Sequence, residues 1–197
     1  MNIFAVNSDP VLAAKDLIDK HVGKMCLESI QMLCAAHHCS ESPLTSSQRS
    51  RLYKVTHVSH PSAKWARHSR DNYDWLYAHA AALNAEYQRR SAHKNPHAAF
   101  VKLGDILKSA PLSFESAFFV PWFPAMPEEM KPAGKDPSHD DVVTAYKHFY
   151  VETKQPFAYW TERAVPEWYR QACEAKGLCE YEGEHEDGRR YRFMHTE

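Results

Sequence analysis

Two long stretches of the chain, residues 19–38 and 62–90, contain no proline and repeat apolar residues at spacings of three and four. This spacing is the period of an amphipathic α-helix. The second stretch turns polar at residues 69–72, where we expect the helix to break. Because two such helices must bury their apolar faces against each other, the chain is predicted to be mainly α, a compact single helical domain over residues 1–197.

The remaining segments add little regular structure to this prediction. Residues 2–6 (NIFAV) are apolar and β-prone, which predicts a short N-terminal strand. The C-terminal segment alternates around an Asp-Gly pair, so we predict a β-hairpin extension over residues 178–197. Residues 39–50 are polar and predict a loop. Prolines and aromatic residues mix through residues 118–137, which predicts an irregular segment packed against the core.

Composition limits the classes of partner. The formal net charge is −1 over 197 residues, so any nucleic-acid site must be a local patch and not a general basic field. The five cysteines are an odd number without the spacing of a disulfide framework. No secretory signal pattern and no apolar run of membrane-spanning length is visible. We therefore expect a soluble protein of a reducing cytoplasm (the host cytoplasm if viral), without a membrane partner, as a monomer or weak dimer.

The first long helix carries four polar residues at helical spacing. His21, Lys24, Glu28 and Gln31 all fall on one side of it. One interpretation is a solvated face, on which Lys24 and Glu28 form an exposed pair worth about 0.2–0.5 kcal/mol. The other is an active-site face, on which Glu28 acts as a general acid–base or an electrostatic stabiliser tuned by a neighbouring cation.

Basic and aromatic residues interleave through residues 60–75, which include His60, Arg67 and Asn72. Cations hold phosphates and aromatic rings stack on bases, so this segment is a candidate nucleic-acid surface. The alternative is a helix with a basic outer face and an aromatic core face. The chain has no glycine-rich phosphate loop and no nucleophile elbow. Its Cys and His residues at 34–39 fit no common zinc spacing, so we expect no metal ion and no cofactor.

Two segments of the chain resemble a known enzyme family. DKHVGKMCLE places Asp19, His21 and Glu28 as they stand in the catalytic helix of the phage pyrimidine-dimer DNA glycosylases of the endonuclease V class. AYKHFY (residues 145–150) resembles the Tyr-Lys-aromatic-Tyr segment of that family, which lies close to DNA. The chain is also similar, through MNIF, HPSAKWAR and AMPEE, to a broad set of phage proteins that carry the same label. That second resemblance covers most of the chain.

The resemblance implies a small, mostly helical domain that flips a base out of the duplex. Known members attack C1′ of a damaged pyrimidine nucleotide with the N-terminal α-amine, and the Schiff base leads to strand scission with help from the glutamate. Here the glutamate is Glu28. Asn2 is larger than the small residue that the family exposes after methionine removal, so Met1 is expected to stay. The amine would then be that of Met1, or an amine would take no part in the chemistry. The arginines flanking the family's glutamate are absent, since Leu27 precedes Glu28 and Gln31 lies one turn on.

The sequence therefore predicts a phage-type enzyme acting on a pyrimidine nucleotide in DNA, most simply a DNA N-glycosylase with or without abasic-site lyase activity. One alternative is a base- or nucleotide-modifying enzyme of DNA hypermodification on the same scaffold. Another is a non-catalytic binder of nucleic acid or a nucleotide, such as a counter-defence protein. The partner is DNA or a pyrimidine nucleotide in each case. The predicted catalytic residues are Glu28, Met1 and His21. The predicted substrate- or DNA-binding residues are Lys24, Gln31, His60, Arg67, Asn72, Tyr146, Lys147 and Tyr150.

Overall fold

The computed structural model describes residues 1–92, 94–183 and 190–195. It is mainly helical, which confirms the mainly-α part of the predicted fold class. Its α-helices are α1 (Pro10–Asp16), α2 (Asp19–Cys39), α3 (Ser46–Arg51), α4 (Pro61–His68), α5 (Arg70–Arg90), α6 (Ala98–Leu107), α7 (His139–Lys154) and α8 (Glu167–Ala175). Two 3-10 turns span Glu128–Met130 and Gln155–Phe157.

Two strands close the described part of the chain, β1 (Leu178–Gly183) and β2 (Arg190–His195). They pair antiparallel, with Leu178 opposite His195 and Gly183 opposite Arg190. The turn predicted around the Asp-Gly pair lies outside the described residues.

Helix boundaries follow from capping side chains. Asp9 accepts hydrogen bonds from two backbone N–H groups of α1, and Pro10 opens that helix, where its missing N–H costs nothing. Ser69 ends α4 and caps α5, so the break predicted at residues 69–72 is confirmed.

The predicted loop over residues 39–50 is wrong in its second half, where α3 begins. Thr45 and Gln48 form a capping box, in which each side chain satisfies a backbone N–H of the other residue. A helix of six residues contributes little periodicity, so its capping box was the only local signal.

The predicted N-terminal strand is also wrong. No strand within the described residues lies beside residues 2–6. Phe4 has a left-handed backbone, with φ of 54°, which a strand does not contain. The Asn2 side-chain oxygen accepts hydrogen bonds from the N–H groups of Ile3 and Phe4, at 2.8 and 3.1 Å. The segment is therefore a tight turn, called here the N-terminal hook (residues 1–6). Its apolar character reflects burial in the core.

The core lies between α2 and α5, and α1, α4 and α6 pack around this pair. Among its largest buried side chains are Trp65, Trp122 and Trp160, none more than 1% exposed. Trp122 belongs to residues 118–137, called here the crossing segment. That segment is therefore packed against the core, as predicted.

A buried ion network fixes the start of α2. Glu86 is 4% exposed and accepts hydrogen bonds from the guanidinium groups of Arg90 and Arg163, at 2.9 and 3.0 Å. Arg90 also lies 3.3 Å from Asp19, whose carboxylate accepts the N–H of Thr161 at 3.0 Å. Since each charge has a partner, the network can be buried. Asp19, one of the residues carrying the family resemblance, thus holds α2 in place.

Candidate active site

The N-terminal amine lies beside the carboxylate of Glu28. The Met1 nitrogen is 4.0 Å from Glu28 Oε2, and the backbone N–H of Asn2 donates to the same oxygen at 2.8 Å. The Met1 side chain is only 4% exposed and that of Glu28 13% exposed. Met1 as a whole is half-buried, so its accessible surface belongs mainly to its backbone, which carries the amine. The site therefore joins an accessible amine to a largely shielded carboxylate.

The Asn2 side chain fixes the position of this amine. Its Nδ2 donates to the carbonyl of Ala125 at 2.7 Å, while its oxygen closes the N-terminal hook. The N–H of Ala125 in turn donates to the Tyr146 hydroxyl at 3.1 Å. The crossing segment and α7 thus hold the hook from outside, and the amine cannot move independently of them.

Phe4 locks the other end of the hook. Its ring stacks on His21 with centroids 4.4 Å apart and an interplanar angle of 8°. Its edge contacts with Tyr146 and Tyr150 have centroid distances of 6.2 and 5.4 Å. A left-handed backbone at a residue other than glycine costs about 1–3 kcal/mol. These buried ring contacts offset that cost, because the ring could not reach them from an extended backbone.

His21, predicted to be catalytic, is placed as a supporting residue. Its side chain is buried under Phe4, and its Nδ1 lies 2.7 Å from the Tyr150 hydroxyl. Burial first, and then the charges of Lys154, Lys24 and Lys20, lower the pKa of His21 to about 3. The ring is therefore neutral near pH 7 and packed beneath the hook. His21 thus supports the hook, and the catalytic role predicted for it stays a prediction.

His60 is a histidine whose pKa depends on the charges of Met1 and Glu28. It caps α4, with Nδ1 accepting the N–H of Ser62 at 3.2 Å, so its neutral ring carries the proton on Nε2. Its pKa is lowered first by burial and next by the charges of the Met1 amine and His57, whereas the charge of Glu28 raises it. The charges of Met1 and Glu28 thus act in opposite directions on the pKa of His60.

A group of lysines, called here the lysine cluster (Lys20, Lys24 and Lys154), lies beside the hook. The Lys154 nitrogen is 4.7 Å from the ring centroid of Phe149 and 5.8 Å from that of Phe4. The Lys20 nitrogen lies 4.5 Å from another aromatic ring. Burial lowers the pKa of Lys154, and the positive charge of Lys24 lowers it further. Within the described residues no member of the cluster forms an ion pair with a carboxylate, which leaves a local anion-binding surface.

Three predicted substrate-binding residues are instead buried inside the fold. Asn72, Tyr146 and Tyr150 are each at most 1% exposed. The Asn72 side chain accepts the N–H of Val120 at 3.1 Å, and the Tyr150 hydroxyl accepts that of Ile18 at 3.1 Å. Their polar atoms satisfy backbone groups of neighbouring segments, so they hold the walls of the site in place. Because the three side chains are buried, the substrate or DNA contact predicted for them has no exposed surface in this structure and stays a prediction.

Three further residues that were predicted to bind substrate or DNA, Arg67, Lys147 and Gln31, lie in different parts of the structure. Arg67 donates to two backbone carbonyls and borders a cavity of about 270 Å³ together with Cys39, at the far end of α2. Lys147 lies over the ring of Trp168, 5.4 Å from its centroid. Gln31 is half-buried one turn after Glu28, so its role as a substrate contact stays a prediction.

Three groups that contribute to the site were not predicted from the sequence. Lys154 stands one turn after Tyr150, and helical spacing could have identified it. The conformation of Phe4 has no sequence signal, because left-handed backbone is rare at aromatic residues. The Ala125 carbonyl is a backbone atom, and its position depends on the path of the crossing segment.

Comparisons with family models, with curated proteins and with solved structures each found no match for this chain. None of the helices within the described residues combines the length and apolar character needed to cross a bilayer. In the same part of the chain, no group of three or more His, Cys, Asp or Glu side chains is arranged to hold a metal ion.

Proposed function

We propose that this chain is an enzyme acting on a pyrimidine nucleotide in DNA, most simply a DNA N-glycosylase that uses the α-amine of Met1 as its nucleophile. The observation that carries the proposal is the 4.0 Å separation between that amine and Glu28 Oε2. An amine attacks only in its neutral form, so a carboxylate that accepts its proton makes it a nucleophile. The family resemblance of residues 19–28 supports the same roles.

The proposed reaction begins when the amine nitrogen bonds to C1′ and the bond between C1′ and the base breaks. Glu28 takes the proton that the attacking nitrogen loses, and the departing base is protonated by solvent or by a neighbouring acid such as His60. Cleavage of the C1′–O4′ bond then gives a protonated imine, and O4′ takes the proton that Glu28 had accepted, which leaves Glu28 as a carboxylate again. If Glu28 next removes a proton from C2′, the 3′ phosphate leaves and the strand is cut. Without that last step, water hydrolyses the imine, which frees the Met1 amine and leaves an abasic site in an uncut strand.

The packing of Met1 is compatible with this chemistry. A bulky first residue could obstruct a flipped nucleotide, but the Met1 side chain is 4% exposed and packs against the core. The side chain is therefore directed away from the surface on which the amine is accessible. The large side chain of Asn2 disfavours removal of Met1 after synthesis. The same side chain donates to the Ala125 carbonyl and so fixes the position of Met1.

The lysine cluster supports DNA as the partner. It concentrates positive charge beside the amine in a chain whose net charge is −1. Cations beside aromatic rings can hold a phosphate while a base stacks nearby. Such an enzyme would act in the cytoplasm of a host cell, as a monomer or weak dimer.

Borohydride trapping tests the mechanism. Incubation with DNA bearing an abasic site, followed by reduction, is expected to cross-link protein to DNA through the Met1 nitrogen. Acetylation confined to the α-amine should abolish the cross-link, and mass spectrometry should place the reduced adduct on residue 1. A Lys24→Ala variant controls for trapping by a nearby side-chain amine and should still cross-link.

The opposite result points to a different activity. If mass spectrometry finds Met1 intact and unblocked but no adduct forms, the Schiff-base mechanism is wrong. A DNA base- or nucleotide-modifying enzyme would then be favoured. Nucleoside analysis of digested DNA would detect its product.

The salt dependence of DNA affinity tests the lysine cluster. Each phosphate neutralised contributes about −0.9 to the slope of log affinity against log salt concentration. Replacing Lys24 and Lys154 together by alanine should therefore make that slope shallower by about 2. The charge-matched control replaces Lys102 in α6 and Lys108 directly after it, two exposed residues outside the lysine cluster, and should leave the slope near its original value. Equal slopes for the two double variants would exclude the cluster from DNA binding.

A further inference from the structure

A carboxylate–histidine pair lies outside the candidate active site. The Nδ1 atom of His68 is 2.9 Å from Oε2 of Glu115. Backbone contacts join the two segments that carry these residues. The N–H of Ser116 donates to the His68 carbonyl at 2.9 Å, and Ser69 pairs with Ser116 in a parallel bridge. The fold itself therefore brings Glu115 to His68.

Glu115 decides which nitrogen of the neutral His68 ring carries the proton. A carboxylate can only accept a hydrogen bond, so Nδ1 donates and Nε2 keeps a free lone pair. Within the described residues Nε2 has no hydrogen-bond partner, and it is not one of their buried unpartnered polar atoms. The His68 side chain is 29% exposed. His68 thus offers an accessible hydrogen-bond acceptor whose proton state is set by its neighbour.

The His68 ring borders a cavity of about 390 Å³ beside the crossing segment. Its edge contacts the Phe123 ring, with centroids 5.9 Å apart and an interplanar angle of 62°. The remaining walls are flat or apolar and come from Val120, Pro121, Trp122, Pro124 and Pro137. Mostly apolar walls with a few polar groups are typical of sites for small organic ligands.

Two exposed charges also line this cavity, those of Lys135 and Asp136. They are adjacent in the sequence and opposite in sign, so their sum is zero. An anionic ligand would be attracted by Lys135 but repelled by Asp136, and a cationic ligand the reverse. The cavity therefore favours a neutral ligand.

We propose that this cavity binds a small neutral aromatic molecule that carries a hydroxyl group, a phenol in chemical class, whose O–H donates to Nε2 of His68. The ligand ring would stack against Phe123 and the proline faces. A ring without a donor would leave Nε2 unpaired. A ring with only an acceptor would bring two lone pairs together. Glu115 is a positioning residue, since it acts on the ligand through His68.

This site is independent of the proposed nucleotide chemistry. It uses neither the Met1 amine nor Glu28. The two sites share only the crossing segment, because Pro124 lines the cavity and Ala125 accepts the Asn2 side chain. Failure of the glycosylase mechanism would thus leave this proposal standing, and the reverse also holds.

Nitrogen-15 NMR of histidine side chains tests the acceptor first. The measurement is made at about pH 8, where an ordinary histidine is neutral. The His68 ring, identified by the signals that disappear in His68→Phe, should carry its proton on Nδ1. A proton found on Nε2 would overturn the proposal, because that nitrogen could then accept nothing.

Titration with three matched probes tests the ligand class. p-Cresol supplies the hydroxyl, p-xylene has a methyl group in its place, and anisole is an isomer of p-cresol that can only accept. We expect p-cresol to bind roughly three- to tenfold more tightly than either control, the usual net effect of one neutral hydrogen bond. It should also move the Nε2 signal upfield, whereas p-xylene should not.

Two variants separate the hydrogen bond from the apolar walls. His68→Phe keeps a ring beside Phe123 but removes the acceptor, so p-cresol should bind it only as tightly as p-xylene does. Glu115→Ala lets the proton move to Nε2 and should weaken p-cresol binding severalfold without changing that of p-xylene. Glu115 is 74% exposed, so this variant tests the proposal even if His68→Phe fails to fold. Glu129→Ala removes another exposed carboxylate and should bind all three probes unchanged.

The proposal is overturned if p-cresol shows no saturable binding, or if p-xylene or anisole binds as tightly. Equal affinity of p-cresol for the unaltered protein and for both His68→Phe and Glu115→Ala would also reject it. The cavity would then be an apolar space in which His68 takes no part.

Discussion

Replacing Glu28 by glutamine is expected to lower the rate of base release or strand scission by about 10²–10⁴-fold, the usual contribution of a positioned general base. Glutamine has nearly the same shape, and its amide oxygen can still accept the Asn2 N–H that Glu28 now accepts at 2.8 Å. The hook should therefore keep its structure while the proton acceptor beside the amine is lost. DNA affinity should change little, because the lysine cluster is intact.

Single-turnover strand scission on abasic DNA, together with binding measured on the same DNA, checks this expectation. Glu129→Gln is the matched control, since Glu129 is exposed in the crossing segment. A Glu28→Gln protein that reacts as fast as the unaltered one would remove Glu28 from the chemistry. If neither the unaltered protein nor the Glu28→Gln variant reacts, and both bind the DNA equally well, a non-catalytic nucleic-acid binder becomes the better interpretation.

Mild acid is expected to unfold this protein, because three histidines are buried in their neutral form. Burial lowers the pKa of His21 to about 3 and those of His37 and His79 to about 4. In the unfolded chain each has a pKa of about 6.5. The unfolded state therefore binds about three more protons near pH 5, and the free energy of unfolding should fall by about 4 kcal/mol per pH unit there. Domains of this size have only about 5–15 kcal/mol in total.

Urea unfolding across a pH series measures this dependence. Stability should be fully present above about pH 6.5 and be lost progressively as the pH falls towards 4. His79→Gln should make the pH dependence shallower by about a third, because one of three protonating groups is removed. His148→Gln changes an exposed residue and should leave it unaltered. A free energy of unfolding that stays constant from pH 7 to about 4.5 would contradict the linkage argument.

The fold was predictable where local chemistry decides it. The spacing of apolar residues in 19–38 and 62–90 predicted α2 and the pair α4–α5, and polar residues near Ser69 marked their boundary. The hook was not predictable in the same way. Its residues have the composition of a strand, but no neighbouring strand exists within the described residues, so tertiary hydrogen bonds from Asn2 decide its shape.

The candidate site was only partly predictable for a related reason. Helical spacing placed Glu28 and Lys24 on one face, and the family resemblance added Met1. Spacing does not show depth, however, so it could not distinguish the exposed Lys24 from the buried His21 on that face. Asn72 of α5 was predicted to touch substrate because it lies among basic and aromatic residues, and Tyr146 and Tyr150 of α7 because their segment resembles one that lies close to DNA. Their burial depends on how distant segments pack, and no local pattern encodes that packing.

The hydrogen bond between Asn2 and Ala125 joins residues 123 positions apart. Contacts this distant form late, because the intervening chain must be ordered first. A nascent or proteolysed chain could thus contain a well-formed α2 with Glu28 in place and still leave its amine unpositioned. In the folded protein, local opening of the crossing segment would release the hook without melting the helices. Hydrogen exchange at the Asn2 and Ala125 amides would then report the fraction of molecules competent for reaction, independently of global stability.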